Sequence, residues 1–345
     1  MFYLGTLIKH NDLKLASGLK LKSPGVSVII AAKNEADNLS KHLKQILDQD
    51  YPEFEVIIIN DHSKDDTREM LNKLEHPRLK TYDLQEGTGK KRAIALGVDK
   101  SKYDYLLFTD ADCLPNSEAW IRKMIQPFDQ QVKIVLGHGR FYPEKGILNS
   151  FIRYENLVNA CQYFAFALKG IAYMGVGRNL AYSKDLFYQS KAFHQYGAIL
   201  SGDDDLIVNE MANETNVAIC MDEEGHTISK AKRTWKDYIH QKRRQLQAGN
   251  FYKSSDRARL AFWGLNHLVF NISTLILLIF CSNKLLFLSI FVVKWMIQVL
   301  YLNNICKKMR DSTILPFIGI LEFFYYIIIS LIGVSTWIWK VKKWQ

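Results

Sequence analysis

The sequence has few cysteines, and they are not spaced as metal ligands or disulfide partners. The chain contains no C-x-x-C pair, and its five cysteines are widely separated: Cys113, Cys161, Cys220, Cys281 and Cys306. This spacing argues against a zinc site and a disulfide framework, and it is typical of a protein that faces a reducing compartment. The sequence also lacks repeats and low-complexity tracts, which argues against a scaffold. No cleavable signal peptide is expected, because the apolar pieces of residues 1–20 are short and interrupted by charged residues.

Long hydrophobic runs are scarce before residue 260 and crowd into the last quarter. Three such segments follow one another there: Leu260–Cys281, Leu285–Leu302 and Ile314–Trp339. Each reaches or approaches the roughly 20 residues that a helix needs to cross a bilayer core. We therefore expect membrane helices. Their polar inclusions, His267, Lys294 and Glu322, should face the helix bundle, and a contact between Lys294 and Glu322 is one way to satisfy both charges.

The charges around the last segment do not fit three simple crossings. With a cytosolic catalytic domain, two crossings return Lys307, Lys308 and Arg310 to the inside, as the positive-inside rule favours. A third full crossing would place the lysines near the end of the chain outside. The rule therefore predicts a re-entrant or split segment around Pro316, unless the rule fails here.

Positive charge is concentrated just before these segments. The formal net charge is +10, and residues 229–259 carry ten Lys or Arg against two Asp. Charge confined to one short stretch argues against a nucleic-acid-binding surface and favours a basic segment beside a membrane.

The first two thirds of the chain alternate strand and helix patterns. Short apolar runs predict four buried strands: Val26–Ala32, Glu55–Asn60, Leu79–Asp83 and Tyr105–Phe108. Helical patterns are expected after residue 35, from Thr67, over Arg92–Val98, over Gly146–Leu168 and after residue 205, with a further strand over Val217–Met221. Alternation of this kind indicates βαβ units and a parallel sheet.

Charged side chains follow these strands directly. Glu35, Asp61, Lys90, Asp110 and Asp112 all lie just beyond a strand. The carboxyl ends of parallel strands form one edge of the sheet, which is where such folds bind ligands. Two carboxylates two residues apart can hold a divalent cation with a diphosphate, and a lysine among them can face phosphate. The pattern predicts a nucleoside diphosphate site.

Six motifs in order resemble glycosyltransferase family 2: VSVIIAAKNEADNL, INDHSKDDT, GKKRA, LLFTDADC, GRNLAY and SGDDDL. The resemblance extends from Val26 to about Tyr252. It implies a GT-A fold, an α/β nucleotide-diphospho-sugar transferase architecture of Rossmann-like type. It also implies an inverting transfer of a sugar from a nucleotide-sugar donor, dependent on Mn²⁺ or Mg²⁺.

The resemblance also implies roles for individual residues. Asp61 matches the residue that contacts uracil or ribose, and Asp110 and Asp112 match those that hold ribose and the metal. The implied donor-binding set is Ala32, Glu35, Asp61, Lys90 and Asp110. Asn60 and His62 replace the commoner Asp and Gly of the second motif, which leaves the base specificity open.

An inverting displacement onto a hydroxyl needs a general base on the acceptor side. Three consecutive acids, Asp203, Asp204 and Asp205, precede a helical pattern. Acids at a helix start are ordinary caps, which accounts for one or two of them. Aligned on Leu206, the family's catalytic acid falls on Asp203, with Asp204 as the nearest competitor.

Two further pairs complete the predicted site. Arg178 and Asn179 resemble the family's loop beside the acceptor, and they are candidates for binding sugar or phosphate. Gln241 and Arg244 resemble the QxxRW signature of membrane-linked members, although Gln245 stands in the place of the Trp. Arg244 suits a diphosphate, whereas the alternative is a cationic helix that lies on anionic lipid. Without the Trp, processive polymer synthesis is less strongly indicated.

The sequence thus predicts four regions: residues 1–24, an extension; 25–228, the GT-A domain; 229–259, a basic interfacial segment; and 260–345, a transmembrane region. The predicted function is a multi-pass membrane glycosyltransferase with its catalytic domain in the cytoplasm. Its donor would be a nucleotide sugar, in particular a UDP-sugar, and its acceptor a lipid-linked or glycan hydroxyl. One alternative is a polyprenyl-phosphate sugar synthase, and another is a catalytically silent membrane binding protein.

Overall fold

A computed structural model describes Gly5, Leu7, residues 23–191, Gly202 and residues 204–338. The chain divides into two compact units. Of the described residues, the first contains Gly5, Leu7, 23–142, 162–191, Gly202 and 204–230, and the second contains 143–161 and 231–338.

The described residues form ten strands and eleven α-helices. The strands are β1 Val26–Ala32, β2 Phe54–Asn60, β3 Leu79–Asp83, β4 Tyr105–Phe108, β5 Leu114–Pro115, β6 Ile134–Leu136, β7 Gly139–Phe141, β8 Leu180–Ser183, β9 Val217–Ile219 and β10 Thr227–Ser229. The helices are α1 Ala36–Leu47, α2 Thr67–Lys73, α3 Lys90–Lys100, α4 Trp120–Ile125, α5 Ile147–Ala167, α6 Lys184–Gln189, α7 Asp205–Met211, α8 Trp235–Ala248, α9 Ser254–Phe280, α10 Lys284–Lys308 and α11 Ile318–Ile338.

The first unit is built on a seven-stranded sheet with the order β3-β2-β1-β4-β8-β6-β9. β1 pairs in parallel with both β2 and β4, and β2 pairs in parallel with β3. β8 runs antiparallel between β4 and β6. A second, three-stranded sheet has the order β5-β10-β7. The fold is therefore a mixed α/β sheet of the GT-A kind, as the sequence predicts.

Continuous apolar runs form the central strands because both faces of the sheet are covered. Val28 and Ile30 of β1 face a core that includes residues of α1 and α4. The opposite face is covered by α3, and a Cβ added to Gly97 of this helix would lie 2.6 Å from Ile29 Cγ2. Only glycine therefore allows α3 to approach β1 this closely. The helix lies along the strands whose carboxyl ends carry the charged residues.

The predicted elements agree with the structure over most of their lengths. β1, β3 and β4 have the predicted bounds, whereas β2 begins one residue earlier, at Phe54. α3 is longer than the predicted Arg92–Val98, and β9 ends at Ile219 rather than Met221. α5 is one residue shorter at each end than the predicted Gly146–Leu168. The antiparallel insertion of β8 was not predicted, because an apolar run does not reveal its partners.

The second unit contains the first part of α5, up to Cys161, and α8 to α11. Arg153 of α5 donates from Nε and Nη2 to Asp311 Oδ1, at 2.9 and 2.6 Å, and both side chains are buried. Glu155 accepts a hydrogen bond from the Tyr238 hydroxyl (2.8 Å) and forms an ion pair with Lys242 (2.6 Å). These buried polar contacts fix α5 to α8 and to the chain after α10.

Three helices of the second unit are long and apolar enough to span a membrane: Ser254–Phe280, Lys284–Lys308 and Ser312–Thr336. The third begins as a 3₁₀ segment, Ser312–Phe317, that contains Pro316, and then continues as the uninterrupted α11. Proline terminates or bends a helix because it lacks an N–H donor. The number of crossings and their direction remain predictions.

An ion cluster joins these three helices. Lys294 Nζ of α10 lies 2.8 Å from Glu322 Oε1 of α11, as the sequence predicts. His267 of α9 also contacts this oxygen, through Nδ1 at 2.6 Å, and its ring stacks on Tyr326. Glu322 is only 2% exposed, so its carboxylate depends on these two partners.

Candidate active site

The carboxyl ends of β1, β2 and β4 meet at one edge of the sheet, because these strands are parallel and in register. The Asp61 amide donates to the Ala32 carbonyl at 2.8 Å, which extends the β1–β2 ladder by one residue. Lys33, Asp61 and the Asp110 loop therefore follow adjacent strands.

Asp61 is fully buried at this edge. Its Oδ2 accepts a hydrogen bond from the Gly89 amide at 3.0 Å and pairs with Lys33 Nζ at 3.2 Å. Its Oδ1 is buried and accepts no hydrogen bond from the residues that the structure describes. A buried acceptor without a partner is costly, so Oδ1 is suited to accept from a ligand N–H or O–H.

The start of α3 brings Lys90 to the same edge. Gly89 precedes the helix with φ +115°, a backbone conformation that favours glycine. The turn places Lys90 Nζ 2.7 Å from Asp110 Oδ1. Lys90 is only partly exposed, so its charge is held at the site rather than in open solvent.

Asp110, Asp112 and Cys113 form a cluster whose ligand atoms lie within 4.8 Å of one another. Burial raises the pKa of the Cys113 thiol well above its ordinary value, so the group stays neutral near pH 7. The thiol donates weakly to Asp112 Oδ1 at 3.5 Å. Two carboxylates with no thiolate form a hard, oxygen-donor set that fits Mn²⁺ or Mg²⁺, and ligand phosphate oxygens and water would complete the coordination.

A small pocket opens between the sheet and α3 next to this cluster. Lys90, Thr109, Gly177 and Asp204 provide its polar lining. The Gly177 amide donates to Asp204 Oδ2 at 2.5 Å, and the Asp205 amide donates to Asp204 Oδ1 at 2.9 Å. A Cβ at Gly177 would lie 3.3 Å from Lys90 Nζ and 3.1 Å from Asp204 Oδ2, so the lysine and the second acidic loop converge here. Asp203 lies outside the described residues.

The family model "Glycosyl transferase family 2" matches residues 27–190, which contain β2 to β8 and all of β1 except its first residue. Residues 27–190 form a glycosyltransferase family 2 domain. This domain holds Asp61, Lys90, Asp110 and Asp112, whereas Asp204 lies beyond the matched residues.

Two curated relatives share this part of the chain. A poly-beta-1,6-N-acetyl-D-glucosamine synthase of Staphylococcus aureus (strain MSSA476) is 34% identical over 139 residues, which is 39% of this chain and 34% of the relative. The synthase of the same name from Staphylococcus epidermidis is 31% identical over 153 residues, 43% of this chain and 37% of the relative. The chain thus aligns with little more than a third of each relative.

A solved structure resembles the fold over nearly the whole chain. It is the mannosyltransferase PcManGT from Pyrobaculum calidifontis in complex with GDP-Man and Mn²⁺. The TM-score is 0.55 at 16% identity, and the match covers 96% of this chain and 95% of the mannosyltransferase. At this identity the likeness supports the fold alone.

Two departures of the family 2 domain from the family pattern have a local cause. Asn60 donates from Nδ2 to Asp83 Oδ1 at 2.7 Å, whereas an aspartate at position 60 would set two carboxylates against each other. His62 has φ +50°, in the left-handed region that favours glycine, and its Nε2 contacts the Gly87 carbonyl at 2.8 Å. The imidazole thus ties the loop after β2 to the loop before α3.

The acceptor-side candidates of the domain differ in accessibility. Arg178 is partly exposed, lies over the Phe141 ring at 4.1 Å and donates to Ser229 Oγ at 3.3 Å. Asn179 is fully buried. Its carboxamide accepts from Trp120 Nε1 (2.9 Å) and donates to the carbonyls of His138 (3.1 Å) and Gly225 (2.8 Å). Its polar atoms are engaged inside the protein, so the geometry favours a structural role for Asn179 over the predicted contact with the acceptor.

We expect Asn179→Ala to lower the free energy of unfolding by about 3 kcal/mol, because it removes the partner of the buried Trp120 N–H and of the buried Gly225 carbonyl, and one of the two hydrogen bonds of the His138 carbonyl. Thermal or urea unfolding measures the change. Asn116→Ala is the matched control, because the Asn116 side chain is also hydrogen-bonded but exposed. An Asn179→Ala protein that unfolds like the parent and instead has a raised acceptor KM would restore the predicted binding role.

Glu35 and Ala32, two other predicted donor-binding residues, lie at the same edge. Glu35 precedes α1 and accepts from Asn38 Nδ2 at 2.6 Å. Ala32 is fully buried and acts through its backbone carbonyl. Sequence reasoning missed Lys33, which pairs with Asp61. It also missed His42, whose pKa is lowered by burial and whose ring bonds to the Ala111 backbone beside Asp112.

Gln241 and Arg244 lie on α8 in the second unit. Arg244 Nε is buried and has no hydrogen-bond partner among the described residues. A guanidinium with an unused buried N–H suits an anionic ligand. Their predicted role at the donor remains a prediction.

Proposed function

We propose that the chain is a membrane-anchored inverting glycosyltransferase that moves a sugar from a nucleotide-diphosphate sugar to an acceptor hydroxyl. The observation that carries the proposal is the convergence of Asp61, Lys90, Asp110 and Asp112 at one sheet edge within a family 2 domain. Unrelated loop charges would not lie together at one sheet edge beside a buried hydrogen-bond acceptor and a set of ligands for a divalent cation.

The donor would lie along this edge. Asp61 Oδ1 would accept from the base or ribose, and Lys90 would face the diphosphate. A UDP-sugar remains our preferred donor class. The names of the two curated relatives make N-acetylglucosamine the first sugar to test.

Asp112 and Asp110 would hold the divalent cation, which would supply positive charge to the departing diphosphate. Asp110 is shared with Lys90, so Asp112 is expected to be the principal protein ligand. The neutral Cys113 thiol orients Asp112 through their hydrogen bond.

The acceptor oxygen would attack the anomeric carbon as the bond between that carbon and the diphosphate oxygen breaks. The bonding electron pair leaves with the nucleoside diphosphate, and the acceptor proton passes to a carboxylate. We assign this base to Asp203. Asp204 accepts backbone hydrogen bonds on both of its oxygens, which suits it to hold the loop at Gly177.

Three apolar helices long enough to span a membrane support the anchoring. Lys307 and Lys308 end the second of them and Arg310 follows it, which favours a cytoplasmic catalytic domain. The acceptor would then be lipid-linked or a glycan at the membrane surface.

The test is a donor screen with purified protein in detergent. Release of nucleoside diphosphate from UDP-, GDP- and dTDP-sugars is measured with Mn²⁺, with Mg²⁺ and with EDTA. We expect release from one donor, dependent on the metal. A folded protein that neither binds nor turns over any donor would overturn the proposal and favour a silent membrane binding protein.

Asp203→Asn and Asp204→Asn separate the two acids. We expect Asp203→Asn to lose transfer to an acceptor about a hundredfold or more while donor affinity is kept, and Asp204→Asn to lose less. If Asp203→Asn has little effect, the acceptor is already an anion, as a polyprenyl phosphate would be. If Asp204→Asn has the larger effect, the base assignment is wrong.

A further inference from the structure

The final apolar segment, Ser312–Thr336, contacts two helices that precede the first apolar segment in the chain. Near its end, Ser335 Oγ of α11 accepts a hydrogen bond from Arg243 Nε of α8 at 2.8 Å. Near the middle of α11, the Tyr325 hydroxyl donates to Asn159 Oδ1 of α5 at 3.3 Å. The second half of α11 therefore packs beside α5 and α8.

Arg243 fixes the side of the membrane on which the end of α11 lies. Its sequence neighbours are Lys242 and Arg244, and α8 ends six residues before α9 begins. Three consecutive cations are costly in a hydrocarbon core, so they stay on the side from which α9 enters the membrane. Ser335 is bonded to Arg243 and lies on that side with it.

The beginning of the final apolar segment lies on the same side. Only three residues join α9 to α10, so the two helices cross in opposite directions and α10 ends on the side from which α9 enters. Five residues later, Thr313 Oγ1 accepts a hydrogen bond from Arg153 Nη2 of α5 at 2.7 Å. A straight helix from Thr313 to Ser335 would be roughly 33 Å long, the full thickness of a hydrocarbon core. A straight crossing would therefore put Ser335 on the wrong side for its contact.

Between these two ends the final apolar segment reaches the apolar layer. Glu322 Oε1 contacts His267 Nδ1 of α9 at 2.6 Å, and His267 lies about 10 Å beyond Leu260, where the apolar run of α9 begins. One turn later in α11, Tyr326 accepts a hydrogen bond from Trp263 Nε1, one turn earlier in α9, at 3.2 Å. α11 thus runs antiparallel to α9 here, toward the side from which α9 enters.

We propose that the final apolar segment is re-entrant: it enters and leaves the membrane on the cytoplasmic side, and the chain crosses the bilayer twice, through α9 and α10. The turn lies where the 3₁₀ segment with Pro316 meets the first turn of α11. There Gly319 packs on α10, and a Cβ at this position would lie 2.9 Å from the Trp295 indole. A proline that interrupts the helix and a glycine that allows close approach suit a turn inside the membrane.

The charge pattern agrees with a re-entrant segment. A third crossing would be followed by three lysines on the far side of the membrane, against the positive-inside rule. A re-entrant segment removes this conflict. The inference rests on the membrane anchoring of the proposed function, but it does not depend on catalysis.

One row of apolar side chains on α11 is left for lipid. Its members are each more than half exposed and recur at helical spacing: Ile320, Phe324, Leu331, Val334 and Ile338. Because both ends of the final apolar segment lie on one side, this row would contact acyl chains of the cytoplasmic leaflet. Its surface is continuous with the exposed apolar faces of α9 and α10.

The first experiment determines the side of the membrane on which α11 ends. The full chain is expressed in a Cys281→Ser background, because the other four native cysteines are buried. Single cysteines are labelled with a membrane-impermeant maleimide in right-side-out and in inverted membrane vesicles. Ser255→Cys at the start of α9 and Ser282→Cys after its end are matched controls at exposed serines, and they should be labelled from opposite sides. We expect Ile338→Cys to be labelled from the same side as Ser255→Cys.

The second experiment tests the contact that places this end. Arg243→Cys combined with Ser335→Cys should be joined within one chain by a short bis-maleimide in intact membranes, as detected by mass spectrometry of the peptides. Arg243→Cys combined with Ser282→Cys should not be joined.

Two labelling results would overturn the inference, and they are distinguishable. Labelling of Ile338→Cys only from the side of Ser282→Cys would overturn the re-entrant segment and leave the membrane anchoring intact. Labelling of both controls from one side would overturn the anchoring in the proposed function and the re-entrant segment with it. Absence of the crosslink between positions 243 and 335 in an inserted protein would also contradict the inference.

Discussion

Replacing Asp112 with asparagine is expected to reduce metal-dependent sugar transfer about a thousandfold without unfolding the protein. Asp112 follows β4 in a loop where ligand atoms of Asp110 and Cys113 lie within 4.8 Å of its own. An amide oxygen is a weaker ligand than a carboxylate for a hard divalent ion, and it carries no charge to offset that of the ion. The loss should therefore appear in metal affinity as well as in turnover.

The matched control is Asp104→Asn, at the opposite end of the same strand, where the aspartate is exposed. Mn²⁺ binding in the presence of nucleoside diphosphate is measured for the parent and both variants, together with turnover. We expect Asp104→Asn to match the parent in both. If Asp112→Asn retains turnover that EDTA still abolishes, Asp112 is not the principal metal ligand. Asp110→Asn then decides between two explanations: an inactive variant would assign the metal to Asp110, and an active one would place the metal elsewhere.

Asp110→Asn should behave differently, because Asp110 is also the partner of Lys90. Replacing the Asp110 carboxylate removes the partner of Lys90 and, at the same time, one of the two carboxylate ligands of the metal. Turnover and donor KM are therefore both affected, whereas Asp112→Asn acts mainly through the metal. The lysine contact thus separates two carboxylates that are equivalent in the sequence motif.

The central strands of the family 2 domain were predictable because each is a compact apolar run. β1, β3 and β4 have the bounds that their sequences predict, and their carboxyl ends meet as parallel pairing requires. The strands of the small sheet were not predicted. β5, β7 and β10 have two or three residues each, so they carry no periodic pattern, and only the tertiary fold brings them together.

The candidate site was predicted as a set of residue types, but not as a set of contacts. Lys33 was missed because its partner Asp61 is 28 positions away and becomes a neighbour only through the β1–β2 register. Asn179 was predicted to face the acceptor because it follows Arg178 in a family motif. Both residues lie in the turn before β8, and here Asn179 points inward to Trp120, a contact that only the tertiary fold creates.

The sequence indicated a pairing between Lys294 and Glu322 from the cost of isolated charges in a membrane, and the structure contains it. It did not indicate that His267 shares the same oxygen of Glu322. The Glu322 carboxylate of α11 therefore contacts side chains of both α9 and α10, and its removal affects both contacts.

We expect Glu322→Gln to lower the stability of the second unit by about 3 kcal/mol or more, because it leaves the Lys294 ammonium without its counterion in a low-dielectric surrounding. Unfolding of the purified protein in detergent, followed by intrinsic fluorescence, measures the change. Ser330→Ala on the same helix is the control, because the Ser330 hydroxyl donates to the Tyr326 carbonyl of its own helix, at 2.7 Å. Its removal should cost little.

A double-mutant cycle distinguishes a charge pair from simple loss of packing. If Glu322 acts as the counterion, Lys294→Met combined with Glu322→Gln should be more stable than the sum of the two single effects predicts, because the uncompensated charge is gone. Additive effects would contradict the ion pair and assign the cost of Glu322→Gln to its bond with His267. That bond is then tested by His267→Phe, which keeps a ring against Tyr326 but removes the donor to Glu322.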